Sequence, residues 1–422
     1  MTYPLGAAGE LYMPDISVHD GATATLARTW QPHDMTLLYT LPLAWLALAA
    51  ALLFIWRKQL SALWREPVFT APILIVESDD WGAGPVSQAE ALINLADCLS
   101  RHHDARGRPA VMTLALVLAL PKAGMAGRVT LADAEQQSIL AAINAGRKRG
   151  VFALQLHGLF HFWPDAVTAA ARTQAGVAAW LEAPVLTETL PSHLQSRWTD
   201  AGTLPSRPHA AEEIVRAVAE ETALFAEMFG DPPEVVVPPT FIWTDTVEAA
   251  WAAAGVRTII TPGQQLTHRD SEGRPSGGGR AIRNGEQGTV GVFYLVRDDY
   301  FEPIFGHQPE QAVASLANKA LLGRPCLLET HRWNFLASTG GQPAAAMAAL
   351  EAMYIAARRD FPTLRFVSCA ELALAIRVND PDWIEQSARR RFTIWLRRVA
   401  TLPRFGKAAR MTGLLPILNL FA

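Results

Sequence analysis

With 422 residues, half of them hydrophobic and only 18% charged, the chain carries enough apolar mass for a sizeable core, which excludes a disordered or fibrous protein. The formal net charge of -3 gives no global attraction for nucleic acid, so electrostatic recognition has to be local. Cys98, Cys326 and Cys369 form no C-x-x-C pair and leave an odd number; this excludes a disulfide framework and a structural zinc knuckle and is compatible with a reducing compartment.

Residues 1–36 read as an N-terminal extramembrane segment. The run from Leu37 to Trp56, LLYTLPLAWLALAAALLFIW, holds no charge over about the ~20 residues a helix needs to cross a bilayer, and predicts a transmembrane helix over 37–56. Glu10, Asp15, Asp20 and Asp34 against a lone Arg28 argue against a cleavable signal peptide. Arg57, Lys58 and Arg65 follow the run directly. The bias of basic loops to the inside then places the long C-terminal part in the cytoplasm, as a single-pass protein of the inner membrane, with a periplasmic placement as the alternative.

From 67 to 379 short apolar strands alternate with longer helical stretches, the signature of a parallel sheet covered by helices. The expected strands are 73–77, 110–116, 152–157, 234–237, 257–261, 291–296, 325–330 and 365–367, enough for a closed or nearly closed barrel. Helices are expected at 131–149, 210–229, 246–254, 309–322 and 344–359, and Ser368 with Glu371 forms a capping box that opens a last helix. Two long irregular stretches, 184–208 and 262–289, interrupt the alternation, as functional or mobile loops do. The second contains SGGGR, which lacks the lysine and hydroxyl of a phosphate loop and reads as a lid or insertion. Residues 380–422 form a basic amphipathic tail, where RRRFTIWLRRVATLPRFGKAAR mixes cations with Phe392, Ile394, Trp395 and Leu396 and could lie on an anionic membrane surface.

The chemistry gathers at three expected strand ends. In ILIVESDDWG two adjacent carboxylates, Asp79 and Asp80, close an apolar run, and their repulsion calls for a cation or a proton. In FALQLHGLFHFWP, His157 and His161 stand four apart just beyond the next strand but one. Positions beyond the carboxyl ends of parallel strands converge on one rim. One aspartate with two imidazoles leaves coordination positions open for water and substrate, and the second aspartate stays free as a base. Two ligating aspartates, or a simple strand-end turn, are the competing readings. In CLLETHRWNF, His331 is suited to give a proton to a leaving amine near neutrality, Glu329 or another carboxylate could fix its ring, and Arg332, Trp333 and Asn334 could orient a polar substrate.

In their order, SDDWG, HGLFH, VPPTFIW and LLETHRWNF resemble the motifs of the polysaccharide deacetylase family, carbohydrate esterase family 4, over 67–379. The resemblance, to a divergent membrane-anchored member, implies a distorted (β/α) barrel of seven or eight parallel strands behind the transmembrane helix. It also implies a hydrolase that removes N-acetyl, or alternatively O-acetyl, groups from a saccharide in envelope or exopolysaccharide biosynthesis. By it Asp79 is the general base, Asp80, His157 and His161 hold one divalent metal, and His331 is the general acid. The metal is taken as zinc, with iron, cobalt and nickel as alternatives. Trp81, Arg332, Trp333 and Asn334 are the substrate-binding candidates. The implied partners are an acetylated saccharide, lipid-linked on a cytoplasmic face, together with the membrane and polysaccharide synthesis proteins, and no nucleic acid. The chain departs from the family's pattern at Trp81, inserted before Gly82, and at Val237, where the family carries an arginine that pairs with the base; Arg332 or Arg297 could replace it. The competing function is a catalytically silent barrel that binds glycan or acts as a scaffold at the membrane.

Overall fold

The computed structural model describes residues 32–184, 186–337 and 342–422, with side chains from Tyr39 onward, so most of the predicted N-terminal segment lies outside the described residues. The chain divides into two compact units, Met1–Ala51 and Leu52–Ala422. The described part of the first belongs to α1 (Pro32–Ile55), in which Tyr39, Leu41, Leu43, Leu46 and Leu48 are exposed. Then α2 (Arg57–Arg65) follows. Among the described residues no single helix is long and apolar enough to cross a membrane; Tyr39–Ile55 and Arg57–Arg65 meet that test only as a bent pair.

The strands are β1 (Ile73–Gly82), β2 (Met112–Val117), β3 (Ala119–Pro121), β4 (Arg128–Thr130), β5 (Phe152–Gly158), β6 (Val235–Val236), β7 (Thr258–Thr261), β8 (His268–Arg269), β9 (Pro275–Ser276), β10 (Phe293–Val296), β11 (Asp299–Tyr300), β12 (Cys326–His331) and β13 (Arg365–Phe366). Nine of them form one parallel sheet in the order β10-β7-β6-β5-β2-β1-β12-β11, with β13 beside β1; β3 with β4 and β8 with β9 are small antiparallel pairs. Helices α3 (Gln88–Ser100), α4 (Gln137–Lys148), α5 (Pro164–Ala171), α6 (Ala175–Glu182), α7 (Ala211–Phe229), α8 (Asp245–Ala253), α9 (Pro309–Leu321), α10 (Pro343–Asp360) and α11 (Cys369–Arg377) accompany it. This is a distorted (β/α) barrel. Of the closed or nearly closed barrel expected, the open form is present: β10 and β11 end the strand path without pairing with each other among the described residues, and nine strands stand where seven or eight were expected. Two of the additions to the expected pattern have clear causes: β11 has two residues, below the length at which alternation is readable, and α3 follows Gly82, Gly84 and Pro85, which mark a loop.

Side-chain alternation along β1 splits the core. Leu74 and Val76 join the large apolar cluster that includes residues of the covering helices, such as Leu92, Leu95 and Leu350. Ile73 and Ile75 face the barrel interior with Ala115, Val235, Ile260, Leu295 and Leu327. Continuing the two-residue period, Glu77 and Asp79 also point inward, so the strand that builds the core delivers carboxylates to its upper end.

The two irregular stretches are fixed to each other. Arg269, 3% exposed, donates from Nε to Ser196 Oγ (2.9 Å) and from Nη2 to Ser192 O (2.8 Å), tying the second stretch to the first. The basic tail is helical as well: α12 (Ala388–Ala400), α13 (Pro403–Met411) and α14 (Leu414–Asn419). Arg398, fully buried, donates to the carbonyls of Leu63, Glu66, Pro67, Leu322 and Gly323 and fastens α12 to α2 and to the approach to β12.

Candidate active site

Consecutive residues of a regular strand face opposite sides, so Asp79 and Asp80 can share a site only if the strand is broken there. The break is present. Pairing of β1 with β2 shifts register between Ser78 and Trp81, and Asp80 takes a left-handed φ of 70°. Gly82 completes the turn at φ 124°, where an added Cβ would stand 2.1 Å from Val117 O. The inserted Trp81 thereby passes to the helix side of the sheet.

Neighbouring strands supply the other groups in register. On β12, Glu329 lies beside Glu77 and His331 beside Asp79. On β5, His157 is followed by Gly158 at φ 123°, and the turn this glycine permits brings His161 back to the same point. Asp80 Oδ1 is 3.6 Å from His157 Nε2 and 3.5 Å from His161 Nε2. His157 Nδ1 donates to Val237 O (2.8 Å), which fixes the tautomer and leaves the Nε2 lone pair facing the carboxylate. Burial lowers the pKa of both imidazoles, that of His161 to about 4. His157, fixed in this way, has no proton for Asp80, and both His161 Nδ1 and Asp80 Oδ1 are buried without a hydrogen-bond partner. Donors at about 2.0–2.1 Å from a tetrahedral ion stand about 3.3–3.5 Å apart, so the residues present fit a divalent cation.

Asp79 has a different environment. Arg297, 1% exposed, donates from Nη1 to Asp79 Oδ1 (2.9 Å) and from Nη2 to Asp79 Oδ2 (2.7 Å), and its Nη1 also reaches Glu77 Oε2 (2.9 Å). Its Nε lies 3.1 Å from Glu329 Oε2. Burial by itself would raise the Asp79 pKa; the charge of Arg297, then that of His157, and the two hydrogen bonds overcome it and hold the carboxyl well below the usual carboxylate range. Glu77 and Glu329 share the same guanidinium, yet burial leaves both raised. Arg297 follows β10 directly, so a cation from across the barrel does what the side chain at Val237 cannot.

His331 is held from the other side. Its Nδ1 meets Glu302 Oε1 at 2.5 Å, and its ring stacks on Trp333 with centroids 3.9 Å apart at 7°. Burial would lower its pKa; the hydrogen bond and charge of Glu302, then the charges of Asp79 and Asp80, raise it to about 9. Its Nε2, the free nitrogen, is 3.8 Å from Glu329 Oε1.

The structure therefore brings Asp79, Asp80, His157, His161 and His331 together, with Trp333 against the histidine. Three substrate-binding candidates have other roles. Trp81 is fully buried, donates to Ser78 Oγ (2.7 Å) and stacks on Phe335. Asn334, also fully buried, donates to Glu302 and to Thr330 Oγ1 (3.1 Å). Arg332, 2% exposed, forms a two-pronged pair with Glu188 at 3.0 and 3.0 Å. Glu188 comes from the first irregular stretch, and its charge acts on Asp80 and His161. Sequence reasoning missed Glu188 and Glu302. An acid after β11 and an acid inside a long loop carry no local signal of which histidine or arginine they will meet.

No protein-family model and no curated protein matches the chain. Among solved structures it is similar to a family 4 carbohydrate esterase from Streptomyces lividans in complex with acetate, at 11% identity and TM-score 0.34, covering 70% of this chain and 92% of that one. It is similar to a peptidoglycan deacetylase from Bacillus subtilis at 10% identity and TM-score 0.36, covering 74% and 94%. A family 4 acetyl xylan esterase from Clostridium thermocellum in complex with a cobalt ion gives 14% identity and TM-score 0.34, covering 71% and 89%. The order of SDDWG, HGLFH, VPPTFIW and LLETHRWNF remains what resembles the polysaccharide deacetylases.

Proposed function

We propose that the chain is a metal-dependent hydrolase that removes N-acetyl groups, or alternatively O-acetyl groups, from a saccharide in envelope or exopolysaccharide biosynthesis. The observation that carries this reading is the unpartnered Asp80 Oδ1 facing two neutral imidazoles, with an ionised carboxylate and a protonated histidine beside it. Asp80, His157 and His161 would hold one divalent ion, zinc or else iron, cobalt or nickel, which when bound polarises the substrate carbonyl and acidifies water.

The chain's own residues supply the proton traffic. Asp79, kept ionised by Arg297, accepts the proton of the attacking water. His331, its Nδ1 committed to Glu302, delivers a proton from Nε2 to the leaving nitrogen of the sugar. Trp333, stacked on that ring, fixes its plane. The alternative of a silent glycan-binding or scaffold barrel was motivated by Val237; the cation missing there is supplied by Arg297, which favours the enzyme.

We place the protein at the inner membrane, with the helix over 37–56 as its anchor and the barrel in the cytoplasm, acting on a lipid-linked saccharide beside polysaccharide synthesis proteins. The exposed apolar side chains of α1 and the basic residues that follow it support this placement. Acetate release from a panel of N-acetylated oligosaccharides, with and without chelator, tests the activity. Release that stops with chelator and in Asp79→Asn is expected. Chelator-insensitive release, or none from metal-loaded protein across the panel, would overturn the proposal.

A further inference from the structure

A cavity with a ring of charged residues lies away from the residues of the active site. It measures about 690 Å³ and is lined by Lys58 and Arg65 of α2, by Glu66, and by Arg280, Arg283 and Glu286 of the second irregular stretch. Its acids are committed. Glu66 receives both prongs of Arg324 at 2.7 and 2.8 Å, and Glu286 pairs with Arg280 and accepts from the Arg283 backbone N–H (3.2 Å). Its other cations are not: among the described residues the side chains of Lys58, Arg65 and Arg283 make no ion pair, and Arg283 Nε is buried without an acceptor. Lys58 and Arg65 are exposed at the cavity, and the half-buried Arg283 places an N–H there with nothing to receive it. An anion with more than one accepting oxygen would receive that N–H and the charges of Lys58 and Arg65 together.

We propose that this cavity is a binding site for a phosphate-bearing group. The volume exceeds that of an isolated phosphate, which leaves room for the alcohol esterified to it. Its surroundings favour a phosphate at a lipid surface. Phe54 and Ile55, just before Lys58, are exposed, and α12, which packs on α2, belongs to a tail with eight basic residues (Arg389, Arg390, Arg391, Arg397, Arg398, Arg404, Lys407 and Arg410) and no acid from Ser387 on. The phosphate could belong to a phospholipid headgroup or to a soluble phosphate ester; the chemistry recognised is the same. The site is independent of the deacetylase reading, because none of its residues enters that mechanism.

The test uses the full chain in neutral detergent micelles. Thermal unfolding and phosphorus bound per chain are measured with dioleoylphosphatidylglycerol and with glycerol 1-phosphate, and thermal unfolding also with dioleoylglycerol and glycerol as phosphate-free controls. The variants are Lys58→Gln/Arg65→Gln, whose exposed side chains form no hydrogen bond or ion pair among the described residues, the triple variant that adds Arg283→Gln, and a tail variant, Arg389→Gln/Arg404→Gln/Lys407→Gln. Wild type is expected to retain phosphatidylglycerol and gain Tm. Both cavity variants should lose at least five-fold in affinity, and the tail variant should lose less. Loss confined to glycerol 1-phosphate supports the site with a soluble ligand. Equal binding by wild type and both cavity variants, an equal loss in the tail variant, or no phosphorus bound by wild type would overturn the proposal.

Discussion

Arg297→Gln is the most discriminating single change at the active site. The guanidinium is 1% exposed and serves Asp79, Glu77 and Glu329 together, so its removal takes the shared cation from three buried carboxylates and leaves His331 as the cation near Glu329. Breaking a buried pair by removing one partner costs about 3–5 kcal/mol. With an unfolding entropy of about 2.1 cal/mol/K per residue spread over Leu52–Ala422, that corresponds to a fall in Tm of about 4–6 °C. The effect on activity has its own signature. Asp79 is depressed in the folded protein, so the stability it lends is present at pH values above the ordinary carboxylate value of about 3.9 and is lost only as pH falls through its lower folded value. Without Arg297, burial, the first influence on this carboxyl, dominates and raises its pKa, so the acid limb of kcat/KM should move up in pH. At pH 6 the loss of an ionised base should reach about 10²–10⁴-fold, with partial recovery at higher pH. Thermal melts and a pH–rate profile of wild type and variant measure both effects. An unchanged Tm with an unchanged acid limb would refute the assignment of Arg297 as the cation that holds Asp79 ionised.

Glu302→Gln should lower the alkaline limb of the rate profile. His331, raised to about 9 against about 6.5 in the unfolded chain, contributes stability that is full below about pH 6.5 and is lost as pH rises through about 9; the variant should lose both that stability and activity between those limits. Asp80→Ala and His161→Ala should bind less than a tenth of the wild-type metal by elemental analysis while melting within a few degrees of the metal-free wild type. Glu188→Gln should weaken the pair with Arg332 by about 1.5–3 kcal/mol and speed hydrogen exchange across 187–198, as followed by mass spectrometry.

Much of this protein was legible in its sequence because the relevant signals are local. Apolar runs of four to six residues between helical periods give a parallel sheet, and β1, β5 and β12 begin within a residue of where the pattern puts them. The capping box at Ser368 is present, with Ser368 Oγ accepting from the Glu371 backbone N–H. The Asp79–Asp80 and His157–His161 pairs also carry their meaning in spacing alone, since strand ends of a parallel sheet meet at one rim.

Tertiary structure decided the rest. Which of Arg297 and Arg332 stands beside Asp79 depends on the path of β10 and β11 around the open side of the sheet, and no local pattern encodes that path. Glu302 and Glu188 acquire roles only through partners 29 and 144 residues away. Trp81 and Asn334 look like ligand-facing residues in a linear motif, but the bulge after Ser78 and the demands of Glu302 turn them inward. The sequence alone determined which residues could do chemistry. The three-dimensional charge balance, with three buried carboxylates sharing one guanidinium and a fourth left facing two neutral rings, decided which of them are poised to do it.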